Sequence, residues 1–152
     1  MGTKSFIEAV AKIHNEDKRF APEAYFFIRE ALDFTLQLFS KPASGPERHV
    51  SAGELLNGIQ KFALKEFGPV AFRVLNTWGI YKCRDFGAIV FNLVDQGILG
   101  KNENDSIADF NNGFDFNTAF RKPFEPRKGK KTVKEQVKKK ETATGRNKEK
   151  SK

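Results

Sequence analysis

The chain has 152 residues and a formal net charge of +8, enough for one domain and too short for two ordinary ones. A folded part of this size buries roughly two-thirds of its unfolded surface and needs no staples. Its single cysteine, Cys83, excludes an intramolecular disulfide and fits a reducing compartment.

A first helix is expected over Ser5 to His14, with Phe6, Val10 and Ile13 at helical spacing. Asn15 to Phe20 is charged and reads as a loop. Pro22 in the first turn, followed by Glu23 near the positive end of the dipole, opens a second helix that should run to about Ser40. Tyr25, Ile28, Leu32, Leu36 and Phe39 form its stripe, widened by Phe26, Phe27, Phe34 and Leu38, so this helix is expected to be central. Arg29 and Asp33, four apart, should pair on its surface. Pro42, Gly45 and Pro46 then mark a loop.

Ser51-Ala-Gly-Glu54 is a capping box that opens a third helix. Leu55, Leu56, Ile59, Phe62 and Ala63 form its buried face, and Gly68 stops it. Pro69 begins a fourth helix with Val70, Val74, Leu75 and Trp78 inward, ended by Gly79. A short extended piece leads to Asp85, expected as the N-cap of a fifth helix over Phe86 to Gln96. Within it Asn92 either hydrogen-bonds across a core or lies on an exposed stripe. Beyond Ile98 and Leu99 the chain becomes irregular, with Phe110, Phe114, Phe116 and Phe120 set among Asp and Asn. These rings are expected to insert between the helices, since four loose Phe on a surface would invite aggregation. The rival reading makes Phe114, Phe116 and Phe120 a protein-docking strip.

Charge divides the chain in two. From Arg121 to Lys152 there are 14 Lys/Arg against 4 Glu, a net of +10, while the first 120 residues carry a net of −2. The last segment has almost nothing to bury, Val133 and Val137 being its only larger aliphatic residues after Phe124, so disorder is expected. Thr132 to Glu135 reads as a capping box, so a few turns up to about Lys140 are expected to be able to turn helical on a surface. The expected organisation is an all-α, five-helix domain over 1–120 and a disordered basic tail over 121–152.

The fourth and fifth helices, with Gly97-Ile-Leu after them, resemble a helix-turn-helix followed by the start of a wing. The stretch Asp85 to Gln96 contains no Lys or Arg. A helix that reads a DNA groove needs them for phosphates and base edges. The arrangement is therefore expected to be structural or to bind protein.

No catalytic constellation emerges. Cys83 has only His14 and His49 as possible bases, and one cysteine with two distant histidines matches no zinc spacing. Asn102 to Ser106 hints at a calcium loop, but Ile107 and Gly113 stand where its Gly and Glu are required. No Gly-rich phosphate cradle precedes a helix. No apolar run approaches the ~18 residues of a membrane span, and Met1 to Phe6 lacks a signal peptide's apolar core. A cytoplasmic, non-enzymatic chain without cofactor, metal or membrane partner is expected. Its tail cations Arg127, Lys128, Lys130, Lys131, Lys134, Lys138, Lys139 and Lys140 would contact RNA, ribosome or DNA through phosphates. The alternative is a protein-interaction or self-association module with the tail as a solubilising appendage.

Several strings come together as a pattern: Phe20-Ala-Pro-Glu-Ala-Tyr25, Arg48-His-Val-Ser51, Glu54-Leu-Leu56, Phe67-Gly-Pro69, Trp78-Gly79 and Asp85-Phe-Gly-Ala-Ile-Val-Phe-Asn-Leu-Val94. Over about Arg19 to Phe120, with Asp115, Phe116 and Phe120 matching its close, the chain resembles an uncharacterised family of small bacterial proteins best represented in Planctomycetes and Verrucomicrobia. Gly53 and Ala88 depart from the Gln and Glu of that pattern, so a function carried by either does not transfer. The resemblance implies no reaction, cofactor or substrate, and it does not extend to the tail.

Overall fold

The computed structural model describes residues 5–102 and 105–126. Five helices follow one another: α1 (Phe6–Glu16), α2 (Pro22–Leu38), α3 (Ala52–Phe67), α4 (Ala71–Thr77) and α5 (Cys83–Asp95). No strand occurs among the described residues. Gly97 closes α5 instead of opening a wing: its N–H and that of Ile98 return to the carbonyls of Val94 and Leu93, with Gly97 at a positive φ of 75°.

Local chemistry accounts for the helix ends. Ser51 Oγ accepts the Glu54 N–H at 3.1 Å while Glu54 Oε1 accepts the Ser51 N–H at 3.0 Å, as the capping box requires. The same reciprocal pair joins Ser5 and Glu8 at the start of α1, and α1 runs on to Glu16. α2 ends at Leu38, short of the expected Ser40, where the backbone turns to a positive φ of 52°. Gly68, at φ 53°, ends α3.

Two starts differ from expectation. Gly68–Val70 forms a 3-10 turn before α4. Its tighter winding shifts the phase of the following residues, leaving Val70, expected inward, 50% exposed. α5 begins at Cys83, before the expected Phe86, and so takes in the exposed Arg84. Asp85 is not its N-cap. It lies within the first turn, where Oδ2 accepts the N–H groups of Tyr81 at 2.8 Å and Lys82 at 3.2 Å.

The most enclosed helix is α5 rather than α2. Along α5 only Arg84 and Asp95 are exposed, whereas α2 exposes Glu23, Arg29, Glu30, Asp33, Gln37 and Leu38. α5 packs against α1, α2, α3 and the 3-10 turn Ile107–Phe110, and Gly87 admits the Phe110 ring where a β-carbon would lie 2.9 Å from it. Its two exposed residues, Arg84 and Asp95, lie at opposite ends of the helix.

Two aromatic clusters fill the interior. Phe27 meets Phe62, Phe67 and Trp78 at centroid separations of 5.4 to 5.7 Å. The second cluster stacks Phe86 on Phe116 at 5.6 Å and sets Phe120 edge-on to Phe116 at 5.1 Å, separations favourable for such rings. Phe110, Phe116 and Phe120 are buried and Phe114 is half-buried. The rings thus lie in the core and not in an exposed strip. A π-helical turn, Asn117–Arg121, and a 3-10 turn, Lys122–Phe124, carry regular structure past the expected boundary at residue 120.

A polar network ties α1 to α2 and α5. The Asn92 amide donates to Asp17 Oδ2 and to the Tyr25 hydroxyl, each at 3.1 Å, which decides for a bridging Asn92. The Arg19 guanidinium grips Asp17 from the other side, with Nη2 2.7 Å from Oδ2. That hydrogen bonding holds the Asp17 carboxyl well below the usual carboxylate range, against an opposing push from burial and with help from the Arg19 backbone N–H and Asn92. Burial pushes the Tyr25 hydroxyl up. A depressed carboxylate contributes stability that is complete above its unfolded pKa of about 3.9 and is lost as pH falls through the folded value. Urea unfolding between pH 5 and pH 2 is therefore expected to show a steeper loss of stability for the parent chain than for Asp17→Asn. Parallel curves would remove Asp17 from the acid response.

Candidate binding groove

One depression on the described surface is largely apolar. Ile28, Leu32 and Leu36 of α2 face Val90 of α5 and the Ile98-Leu99 pair across a cavity of about 320 Å³. Asp33, Arg48 and His49 stand at its rim. α2 supplies one wall because its stripe is wider than α3 covers, and the Gly97 stop turns Ile98 and Leu99 back to supply another. Grooves with apolar walls and a few polar groups suit ligands or partner side chains of the same character.

His49 is fixed on this rim by Asp105, with Nε2 3.1 Å from Oδ2. It also lines an adjoining smaller recess, about 50 Å³, with Ser51, Phe91 and Asp109. Arg48 donates to the Pro42 carbonyl at 3.0 Å. Lys41 pairs with Glu54 at 3.1 Å, joining the residues after α2 to the start of α3 and setting the path of the rim. The expected Arg29–Asp33 pair does not form. Arg29 instead lies over the Phe6 ring, 4.9 Å from its centroid, a contact that also covers apolar surface with the arginine stem.

Cys83, His14 and His49 each bond to a different partner. Cys83 is buried and its thiol donates to the Phe114 carbonyl at 3.3 Å. Burial pushes this thiol up to about 11, far from the thiolate a nucleophile requires. His14 meets the Phe20 carbonyl through Nδ1 at 3.2 Å, and His49 meets Asp105, so neither is bonded to the thiol. Among the described residues no group of three or more His, Cys, Asp and Glu side chains is placed to hold a metal ion. No helix among them is long and apolar enough to cross a membrane.

The structure brings Phe114, Phe116 and Phe120 together, but into the core. Arg127, Lys128, Lys130, Lys131, Lys134, Lys138, Lys139 and Lys140 lie outside the described residues. The groove is not legible in the sequence, because its lining residues carry the same pattern as core residues. Only their incomplete covering distinguishes them. Compared with models of known protein families, with curated proteins and with solved structures, the chain matches none.

Proposed function

We propose that the chain is a non-enzymatic binding protein whose basic C-terminal tail engages nucleic acid, RNA or the ribosome foremost. The observation that carries this reading is the segregation of charge, +10 over the last 32 residues against −2 over the rest. Such a segment binds polyphosphate by releasing counterions and reads charge rather than sequence. The enclosure of α5 supports tail contact over groove reading by the helix-turn-helix-like part. Membership of the bacterial family that the sequence resembles remains part of the same proposal.

The test uses the whole chain with Arg127, Lys128, Lys130, Lys131, Lys134, Lys138, Lys139 and Lys140 all changed to Gln. Retention on RNA and co-sedimentation with ribosomes are expected to be lost at about 0.15 M salt. The slope of log K against log salt should flatten by about 0.7 for each phosphate contact removed. Unchanged retention overturns the tail reading. The apolar groove favours a second reading, a protein-interaction or self-association module, which would then take its place.

A further inference from the structure

A second depression lies at the point where the domain passes into its basic tail. Phe72, Arg73, Asn76 and Thr77 of α4, with Pro69 and Val70 before it and Arg121 of the π-helical turn, line a pocket of about 590 Å³. Its lining contains two arginines and no carboxylate. The three ion pairs among the described residues are Asp17–Arg19, Lys41–Glu54 and His49–Asp105, so neither Arg73 nor Arg121 is neutralised. Residues 1–120 carry a net of −2, so Arg73, with Arg121 just beyond them, makes a local concentration of unpaired guanidinium.

The other walls are as specific as the charge. Phe72 is half-buried and Val70 is 50% exposed, which makes an apolar surface beside the arginines. The Arg121 guanidinium lies over the Phe72 ring, 5.2 Å from its centroid. Asn76 carries the single buried side-chain oxygen or nitrogen among the described residues that lacks a hydrogen-bond partner, its Oδ1. Leaving such an acceptor unpaired is costly, and in native proteins it calls for an explanation.

We propose that this pocket holds one nucleotide of a single-stranded nucleic acid, an inference that rests on the tail reading above. The phosphate lies on Arg73 and Arg121, whose planar forks suit its oxygens. The base packs on Val70 and against the part of Phe72 that Arg121 leaves open, and one of its N–H groups reaches the Asn76 amide after a turn about its terminal torsion. Free phosphate would satisfy the arginines and leave the ring and the amide unused. Arg121 is also the first cation of the basic segment, so a strand crossing the pocket continues along the tail. The folded domain thereby adds base contact to a tail that reads charge alone.

Fluorescence anisotropy with short labelled oligouridylate and oligothymidylate tests this on the whole chain, each variant first shown to be folded by its thermal transition. Arg73→Gln is expected to weaken binding roughly fivefold and to flatten the salt slope by about 0.7. Phe72→Leu should weaken it roughly tenfold with the slope unchanged, because aromatic contact with the base is lost while charge is kept. Asn76→Leu should weaken binding without lowering the thermal midpoint, separating a ligand contact from a structural one. A stronger effect on oligouridylate than on oligothymidylate assigns the pocket to RNA, and equal effects assign it to either strand. Parent-like binding and slope in both Arg73→Gln and Phe72→Leu overturn the pocket while the tail reading stands. If the eight tail substitutions change nothing but the pocket variants weaken binding, the tail reading falls and the pocket survives. A parent chain that binds neither oligonucleotide overturns both.

Discussion

Phe120→Ala is expected to destabilise the domain by about 3 to 5 kcal/mol, as measured by urea denaturation. Phe120 has no exposed surface. Its ring meets Phe116 at 5.1 Å and Phe114 at 5.4 Å, both edge-on. Truncation removes the ring from the centre of that cluster, and the stacked Phe86–Phe116 pair behind it cannot collapse without moving α5. Against a total stability of about 5 to 15 kcal/mol, the change is large enough to unfold part of the population in water. A docking strip would respond differently. There the same substitution would leave stability within about 0.5 kcal/mol and would remove partner binding. A small effect on the urea midpoint would therefore return Phe114, Phe116 and Phe120 to the surface.

Gly58→Ala is expected to destabilise by about 2 kcal/mol or more, opposite in sign to helix propensity. Alanine in place of glycine inside a helix is ordinarily favourable by about 1 kcal/mol. At Gly58, however, α3 crosses α2 so closely that a new β-carbon would overlap the Thr35 hydroxyl oxygen and lie 2.7 Å from the Thr35 β-carbon. Thr35 cannot give way. It is fully buried, and its hydroxyl donates to the Ala31 carbonyl at 2.7 Å. Overpacking of a closed contact costs about 1 to 3 kcal/mol, occasionally more, and outweighs the propensity gain. Combining Gly58→Ala with Thr35→Ala should recover part of the loss, which a thermodynamic cycle would register as coupling. Stabilisation by the single change would show that α2 and α3 are farther apart than described.

Gly58 shows why the two kinds of information differ. From the sequence it is a glycine inside a well-capped helix, a minor weakness. Its role depends on Thr35, which arrives from another helix, and no local pattern announces that meeting. Ser51 and Glu54 are the contrary case: both partners lie within one turn, and the bond they make is legible in four consecutive residues. Ser5 and Glu8 carry the same signal just as plainly. The candidate sites divide in the same way. The basic tail is visible as composition, whereas the Arg73–Arg121 pocket joins residues on α4 and on the turn after the Phe-rich segment.

By itself, then, the sequence determined the all-helical class, most helix ends and the concentration of positive charge after residue 120. These follow from capping, glycine stops, apolar spacing and composition, all of which act within a few residues. Only the tertiary structure decided that α5 is the enclosed helix and that the Phe-rich segment lies in the core. It also decided that Arg29 covers Phe6 instead of pairing with Asp33, and that Asn92 reaches Asp17 across 75 residues of chain. The reason is physical: a polar or aromatic side chain takes whichever partner packing brings near, and burial belongs to the assembled helices rather than to any one of them.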